Sequence, residues 1–458
     1  MKNKKILVIG LGVSGISCIK ALHKLGAVIY AYDESPKEKL YEKLQELSSI
    51  QAEYFFGSSE IDNIPMNELD FAIKSPGIKY EVPIVVKLIE KSIKIISDVE
   101  AAYMVTEASF ISITGTNGKT TTTTLIGEIV KESGRNCKLT GNIGFGIFDD
   151  AMNSKKGDVL IAEVSSFQLA GTYDYKPQIS VITNITPDHM DYHHTMENYV
   201  EAKFKNVINQ DENDYAILNY EDETIRNYSG NIKANIIFFS SERVLDKGIF
   251  VLDGKMVYKN ENDTFVIINT RDIFIPGKHN LENAMAAAGA AIALGTDVET
   301  IAKVLKEFKG VEHRLEFCGE YNKVKFYNDS KGTNPDASIK AVQGIEKPIV
   351  LIAGGYDKKS QYDDFIQSFD NKVKALVLLG QTANDIEKCA RSYGFTNIYK
   401  VQSMDEAVKK CFELSEEGDN VVLSPACASW GMYPNYEVRG RDFKERVKYY
   451  GGSSTQSR

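Results

Sequence analysis

The sequence predicts an α/β protein of three consecutive domains. Short apolar, β-branched runs alternate with helical patterns along the whole chain, as in chains of βαβ units. Two of those runs, at 5–9 and 110–114, feed directly into glycine turns that open a helix. That is how parallel sheets hold phosphate groups. At 458 residues the chain also exceeds one ordinary domain.

The first domain is assigned residues 1–97. Its strand at 5–9 enters Gly10-Leu11-Gly12-Val13-Ser14-Gly15, a helical pattern follows to Leu25, and a second strand at 27–32 ends at Asp33. This is a Rossmann-like fingerprint with an acidic residue at about the right distance for NAD. The turn alone fits a nucleotide, a diphosphate or a plain structural turn. Strand and helix signals at 70–73, 83–91 and 94–96 complete the domain.

The second domain, 98–309, carries the stretch FISITGTNGKTT at 110–121. Gly115, Thr116, Asn117 and Gly118 make a tight loop, and Lys119, Thr120 and Thr121 open a helix to about residue 131. Ile113 stands where the longer P-loop spacing has glycine, so this is a shorter variant. The expected ligands of this P-loop ATPase-like domain are ATP and magnesium: N–H groups face anionic oxygens, Lys119 supplies a cation and Thr120 a hydroxyl. Strands at 137–139, 159–164 and 179–183 follow, with Glu163 and His189 near the carboxyl ends of the last two, where ligands gather. Glu163 also reads as a helix cap and His189 as a loop hydrogen-bonder, but together beside a phosphate loop they suggest magnesium ligands. His193 and His194 are assigned to a solvated loop, and Lys203, on a helix at 196–207, to a solvated face. β-patterned runs between 249 and 275 precede an alanine-rich helix at 281–294. Asn280 and Asn283 either cap that helix or face a nucleotide.

The third domain, 310–458, is again Rossmann-like α/β. It holds HRLE at 313–316, strands at 325–327, 348–353, 375–379 and 421–423, SPACASW at 424–430 and a closing helix at 438–449. The tail GGSSTQSR is expected to be disordered.

Hydrophobic residues make up 43% and charged residues 26% of the chain, a globular balance. No apolar run reaches the ~18 residues of a membrane span, and the N-terminus has no signal-peptide architecture. Six dispersed cysteines without a C-x-x-C pair point to reduced thiols in a cytoplasm. A net charge of −9 argues against nucleic acid as a partner. A monomer is expected.

The motifs TGTNGKTT, EVSSFQL, TNITPDHMD, GKHNLEN, HRLE, NDSKGTN and LSPACASWGMYPNYEVRGRDF occur in that order. Together they resemble the Mur ligases, ATP-dependent amino-acid-adding enzymes of peptidoglycan precursor synthesis, over essentially the whole chain. GLGVSG and the SPGI at 75–78 favour the D-glutamate-adding branch. The resemblance implies that the carboxylate of UDP-N-acetylmuramoyl-L-alanine attacks ATP, and that D-glutamate then attacks the acyl phosphate. It implies Lys119 on the β- and γ-phosphates, Thr120 and Glu163 on one magnesium ion, and His189 with a carbamylated Lys203 at a second. It places Asn280, Asn283, Arg314 and Asp329 at ATP, and Val13, Ser14, Ser75, Asn142 and His189 at the UDP-sugar. Thr333, Lys358, Ser429 and Tyr436 fall to D-glutamate, with Lys359 competing for the role of Lys358. Asp33 and Glu34, near the expected uridine, offer a diphosphate nothing. A folylpolyglutamate-synthase-like ligase would lack the first domain. A nucleotide-sensing scaffold need not keep Glu163, His189 and Arg314.

Overall fold

The computed structural model describes residues 1–143, 146–356 and 360–454. Lys358 and Lys359 lie outside the described residues. The chain divides into two compact units, Met1–Asp272 with Glu282–Lys306, and Ile273–Leu281 with Glu307–Arg458.

The first unit holds two sheets. In one, β1 (Lys5–Ile9), β2 (Val28–Asp33), β3 (Glu53–Phe56), β4 (Phe71–Lys74) and β5 (Ile95–Ile96) lie in the order β3-β2-β1-β4-β5, all parallel. The continuous apolar run of β1 follows from burial on both faces: Ile6 and Val8 pack with Ile19 and Leu22, while Leu7 and Ile9 pack with Ile84 and Leu88. The strand order reverses between β1 and its two neighbours, so a crevice opens at their carboxyl ends.

The other sheet contains β6 (Ser109–Thr114), β7 (Cys137–Gly141), β8 (Val159–Glu163), β9 (Ile179–Ile182), β10 (Tyr215–Asn219), β11 (Asn235–Ser240), β12 (Gly248–Leu252), β13 (Lys255–Lys259) and β14 (Thr264–Asn269). The order is β14-β13-β12-β11-β10-β9-β6-β8-β7, parallel up to β12 and then an antiparallel meander. β6 lies between β8 and β9, so the loops after all three strands open side by side. Leu125, Ile126, Ile129 and Val130 of the helix Lys119–Glu132 are fully buried. At roughly 1.5–3 kcal/mol per buried side chain, packing rather than its threonine-rich composition holds this helix. The helix Lys278–Ala293 buries Ala284, Ala286, Ala287, Ala288, Ala290 and Ala291, which accounts for its small side chains.

The second unit has β15 (Glu316–Tyr321), β16 (Val324–Asn328), β17 (Ile349–Ala353), β18 (Val373–Leu378), β19 (Ile398–Lys400) and β20 (Asn420–Leu423), in the order β15-β16-β20-β17-β18-β19. Among these strands the edge pair β15–β16 is antiparallel and the other pairs are parallel. The closing helix is longer than its sequence pattern predicts and runs Tyr436–Ser454, through the first half of the tail expected to be disordered. A Cβ at Gly451 would overlap the Tyr321 ring, so glycine there lets the last turn pack on β15. No helix among the described residues is long and apolar enough to cross a membrane.

Candidate active site

The loop after β6 takes the shape its glycines allow. Gly115 has φ +142° and Gly118 φ +83°, and a Cβ at either would overlap Thr183 Oγ1 or Asn283 Oδ1 respectively. The segment after β9 braces this loop. Thr116 N–H donates to the Asn184 carbonyl at 2.8 Å, Asn117 N–H to Asn184 Oδ1 at 2.9 Å, and Thr183 Oγ1 to the Asn117 carbonyl at 2.6 Å. Thr183 and Asn184 belong to a motif noted in the sequence, but bracing requires contact across neighbouring strands, which the sequence does not display. Thr120 is buried and Thr121 half-buried on the first turn of the helix. Thr122 Oγ1 lies 3.4 Å from Asn283 Oδ1, so Asn283 sits on the phosphate loop. Asn280 Nδ2 instead donates to the Pro276 carbonyl at 2.7 Å, holding the start of its helix.

Two lysines converge on this loop. Lys119 Nζ donates to the carbonyls of Gly115 and Thr116, both at 2.9 Å. Lys203 Nζ donates to the Gly115 carbonyl at 2.7 Å and lies 4.6 Å from the Tyr199 ring centre. The solvated face expected for Lys203 is therefore wrong. Tyr199, Val200 and Phe204 turn that side of the helix Met196–Phe204 inward, and Lys203 goes with them. Burial first, and the charge of Lys119 second, hold its pKa well below that of an ordinary lysine, with Asp188 opposing. The result is a buried amine that gives up its proton easily.

Glu163 ends β8, with Oε1 accepting from Asn142 Nδ2 at 2.9 Å and its carbonyl accepting Asn142 N–H at 2.8 Å. Oε2 is buried with no hydrogen-bond partner among the described residues. The helix-cap reading of Glu163 fails, because Ser165 and Gln168 form a reciprocal capping box on the next helix. His189 has φ +55°, remains half-exposed, and rests 4.7 Å from the Phe167 ring. His194 is exposed and pairs with Glu81 at 2.8 Å. His193, expected in a solvated loop, is only 6% exposed. Its ring stacks within 6° of parallel on Phe167, with Nε2 2.9 Å from Ser166 Oγ. Burial and the nearby Lys203 push its pKa down to about 4, so it stays neutral.

A cavity of about 500 Å³ opens at the carboxyl ends of β1, β2 and β4, lined by Gly10, Gly12, Tyr32, Ser75, Gly77 and Ile78 among others. Asp33 lines it too, but its carboxylate is turned onto the backbone. Its Oδ2 accepts Leu11 N–H at 2.7 Å and its Oδ1 accepts Ser35 N–H at 2.9 Å, so it shapes the glycine turn. Ser75 Oγ donates to the Gly10 carbonyl at 3.2 Å, and Val13 is exposed at the tip of the turn. Ser14 lies beside Asp98 and helps favour its charged form, and the Asp98 oxygens accept from Gln168 Nε2 at 3.1 and 3.2 Å. Sequence reasoning missed Asp98, because a lone carboxylate at the start of the helix Asp98–Tyr103 reads as an ordinary first-turn acid.

In the second unit, Asp329 is buried after β16 and accepts from Ser424 Oγ at 2.7 Å. Burial pushes its pKa up to about 7, opposed by Ser424 and Arg314. Arg439 was assigned no role, yet it joins the two loops that carry Thr333 and Ser429. Its Nε donates to Ser330 Oγ at 3.0 Å, Nη2 to the Ser330 carbonyl at 2.8 Å and Nη1 to the Cys427 carbonyl at 3.0 Å. Ser330 Oγ in turn donates to the Tyr436 carbonyl at 2.8 Å. Glu312, His313 and Glu316 cluster as metal ligands do. Lys444 Nζ, however, lies 2.7 Å from one carboxylate and 2.8 Å from the other.

The shift at Asp329 makes a stability prediction. Its folded pKa lies above the unfolded one, so its protonation favours folding below about pH 4, and that contribution is lost as pH rises through about 7. Asp329→Asn should therefore melt higher than wild type at pH 8, by up to ~4 kcal/mol, with the gap closing at pH 4. Thermal melts at both pH values check this, and an equal gap at each would refute it.

A crevice at the carboxyl ends of one parallel sheet and a glycine-built phosphate loop on a second, mostly parallel sheet define an α/β protein of nucleotide-binding type. Residues 4–97 match the family model for the Mur ligase MurD-like N-terminal domain, 113–291 the Mur ligase middle domain, and 313–427 the Mur ligase, glutamate ligase domain. The chain belongs to the Mur ligase family. It is 47% identical to the UDP-N-acetylmuramoylalanine–D-glutamate ligase of Alkaliphilus oremlandii, over 98% of each chain. It is 45% identical to that of Clostridioides difficile, over 98% of this chain and 99% of the relative. Solved structures share the fold. The UDP-N-acetylmuramate-alanine ligase MurC of Thermotoga maritima matches with TM-score 0.58 at 19% identity, covering 97% of this chain and 99% of that one. A MurF ligase of Thermotoga maritima in complex with ADP matches with TM-score 0.57 at 17% identity, covering 99% and 96%.

Proposed function

We propose that this protein joins D-glutamate to UDP-N-acetylmuramoyl-L-alanine, converting ATP to ADP and phosphate, in the cytoplasmic synthesis of peptidoglycan precursor. The observation that carries this reading is a phosphate loop flanked by a buried carboxylate with one oxygen unpartnered among the described residues and a buried low-pKa amine, in a chain whose full-length relatives bear that ligase's name. The acceptor carboxylate attacks the γ-phosphorus and ADP leaves. The amine of D-glutamate then attacks the acyl carbonyl and phosphate leaves. Such chemistry rests on positioning and charge neutralisation, and alignment of the reactants can supply ~7–11 kcal/mol.

Residues 1–97 would take the UDP-sugar through Val13, Ser14 and Ser75, with Asn142 and His189 from the central domain, 98–309. Lys119 would leave its loop carbonyls for the β- and γ-phosphates. Asn280, Asn283, Arg314 and Asp329 would hold the rest of ATP. Thr333, Lys358, Ser429 and Tyr436, in 310–458, would hold D-glutamate.

The donor set fits magnesium: Thr120 offers a hydroxyl, and Glu163 Oε2 is a buried oxygen in want of a positive partner. The ion would neutralise charge on the phosphate oxygens. An ammonium cannot ligate a metal, but the amine of Lys203 can add carbon dioxide, releasing a proton and forming an anionic carbamate. That oxygen ligand would serve a second ion beside His189.

The test is phosphate release with ATP, magnesium and the UDP-muramoyl acceptor. Release should require D-glutamate, and faster turnover with L-glutamate or L-alanine would overturn the assignment. NAD should not bind detectably in calorimetry, and tighter binding of NAD than of the UDP-muramoyl acceptor would overturn this reading of residues 1–97.

A further inference from the structure

Lys74 closes β4, yet its side chain turns inward and only 3% of the residue is exposed. Its Nζ donates to the Ile78 carbonyl at 2.6 Å, lies 3.4 Å from the Ser75 carbonyl, and donates to Tyr192 OH at 3.1 Å. The rings of Tyr80 and Tyr192 stand 4.8 and 5.6 Å from it. Among the described residues no carboxylate bonds it; Asp98 and Glu81 act on it only from further away. A buried ammonium held by neutral acceptors is costly, and burial draws its pKa down to about 8.

What this ammonium clamps is informative. The turn at 75–78 supplies Ser75, Gly77 and Ile78 to the cavity wall. Tyr192 packs 4.4 Å from the Phe167 ring, on which His189 also rests. Outside it, Lys79–Asp191 and Glu81–His194 tie the same two segments, but these pairs are exposed, and exposed pairs contribute little.

We propose that Lys74 is a positioning residue for the acceptor, fixing the cavity wall at 75–78 in register with the Tyr192–Phe167–His189 stack. This rests on the acceptor-site reading above. A nucleotide seated in the cavity is thereby held at a set position relative to His189, without Lys74 touching it.

The experiment uses full-length wild type, Lys74→Met, Tyr192→Phe and the double variant. It reads kcat, KM for the UDP-muramoyl acceptor, KM for ATP, and melting temperature. Lys74→Met should raise the acceptor KM about tenfold or more, since it removes the charge-assisted hydrogen bonds to the Ile78 carbonyl and the Tyr192 hydroxyl together, with KM for ATP changed less than about twofold. Tyr192→Phe should raise the acceptor KM by a smaller factor, and the double variant should be no worse than Lys74→Met alone. A lowered melting temperature with unchanged acceptor KM would reduce Lys74 to packing and overturn the proposal. So would equal rises in both KM values, or additive effects. If Lys74→Met does not fold, an unchanged acceptor KM in Tyr192→Phe overturns it. A wild type that turns over no UDP-muramoyl acceptor sinks the functional reading and this inference together, a result distinct from the others.

Discussion

Lys203→Arg is expected to lose at least ~10²-fold in turnover, although it keeps a positive charge. The wild-type amine sits on the Gly115 carbonyl in a buried site that favours its neutral form. Only a neutral amine can add carbon dioxide. A guanidinium stays protonated at every accessible pH, and its planar fork does not fit where one primary amine fits. Initial rates beside a melting curve separate lost chemistry from lost folding. A second readout comes from the wild type: stripping dissolved carbon dioxide should slow it, and bicarbonate should restore it. Near-normal turnover of the arginine variant would remove the carbamate role.

Thr120→Ala, Glu163→Ala and His189→Ala should each lower turnover by at least ~10²-fold. For Glu163 the structural reason is strongest. A buried carboxylate oxygen without a donor contributes nothing to folding that would account for its place. Glu163→Gln keeps the shape and the Asn142 contact while removing the charge. It should therefore melt near wild type while needing much more magnesium for half-maximal rate. A magnesium dependence identical to wild type would exclude Glu163 from the metal.

The sequence by itself determined the local features of this protein. The apolar run of β6, the glycines at 115 and 118 and the helix from Lys119 are legible because β-branched strands and positive φ are properties of a few adjacent residues. The same holds for the glycine turn after β1 and the alanine-rich helix, and the ordered motifs carried the family.

Tertiary structure decided everything that depends on what packs opposite. Lys203 and His193 read as solvated because charge and polarity are all a sequence shows of them; both are buried by the company of Tyr199 and Phe167. Asp33 matched a ribose acceptor by spacing, but its oxygens face backbone N–H groups that the turn brings to it. Asp98 gave no local signal, and the motif that contains Arg439 did not show what that side chain holds, since each acts by joining segments far apart in the chain. Burial and hydrogen-bond partnership are relations between distant residues, and only the folded chain puts those residues side by side.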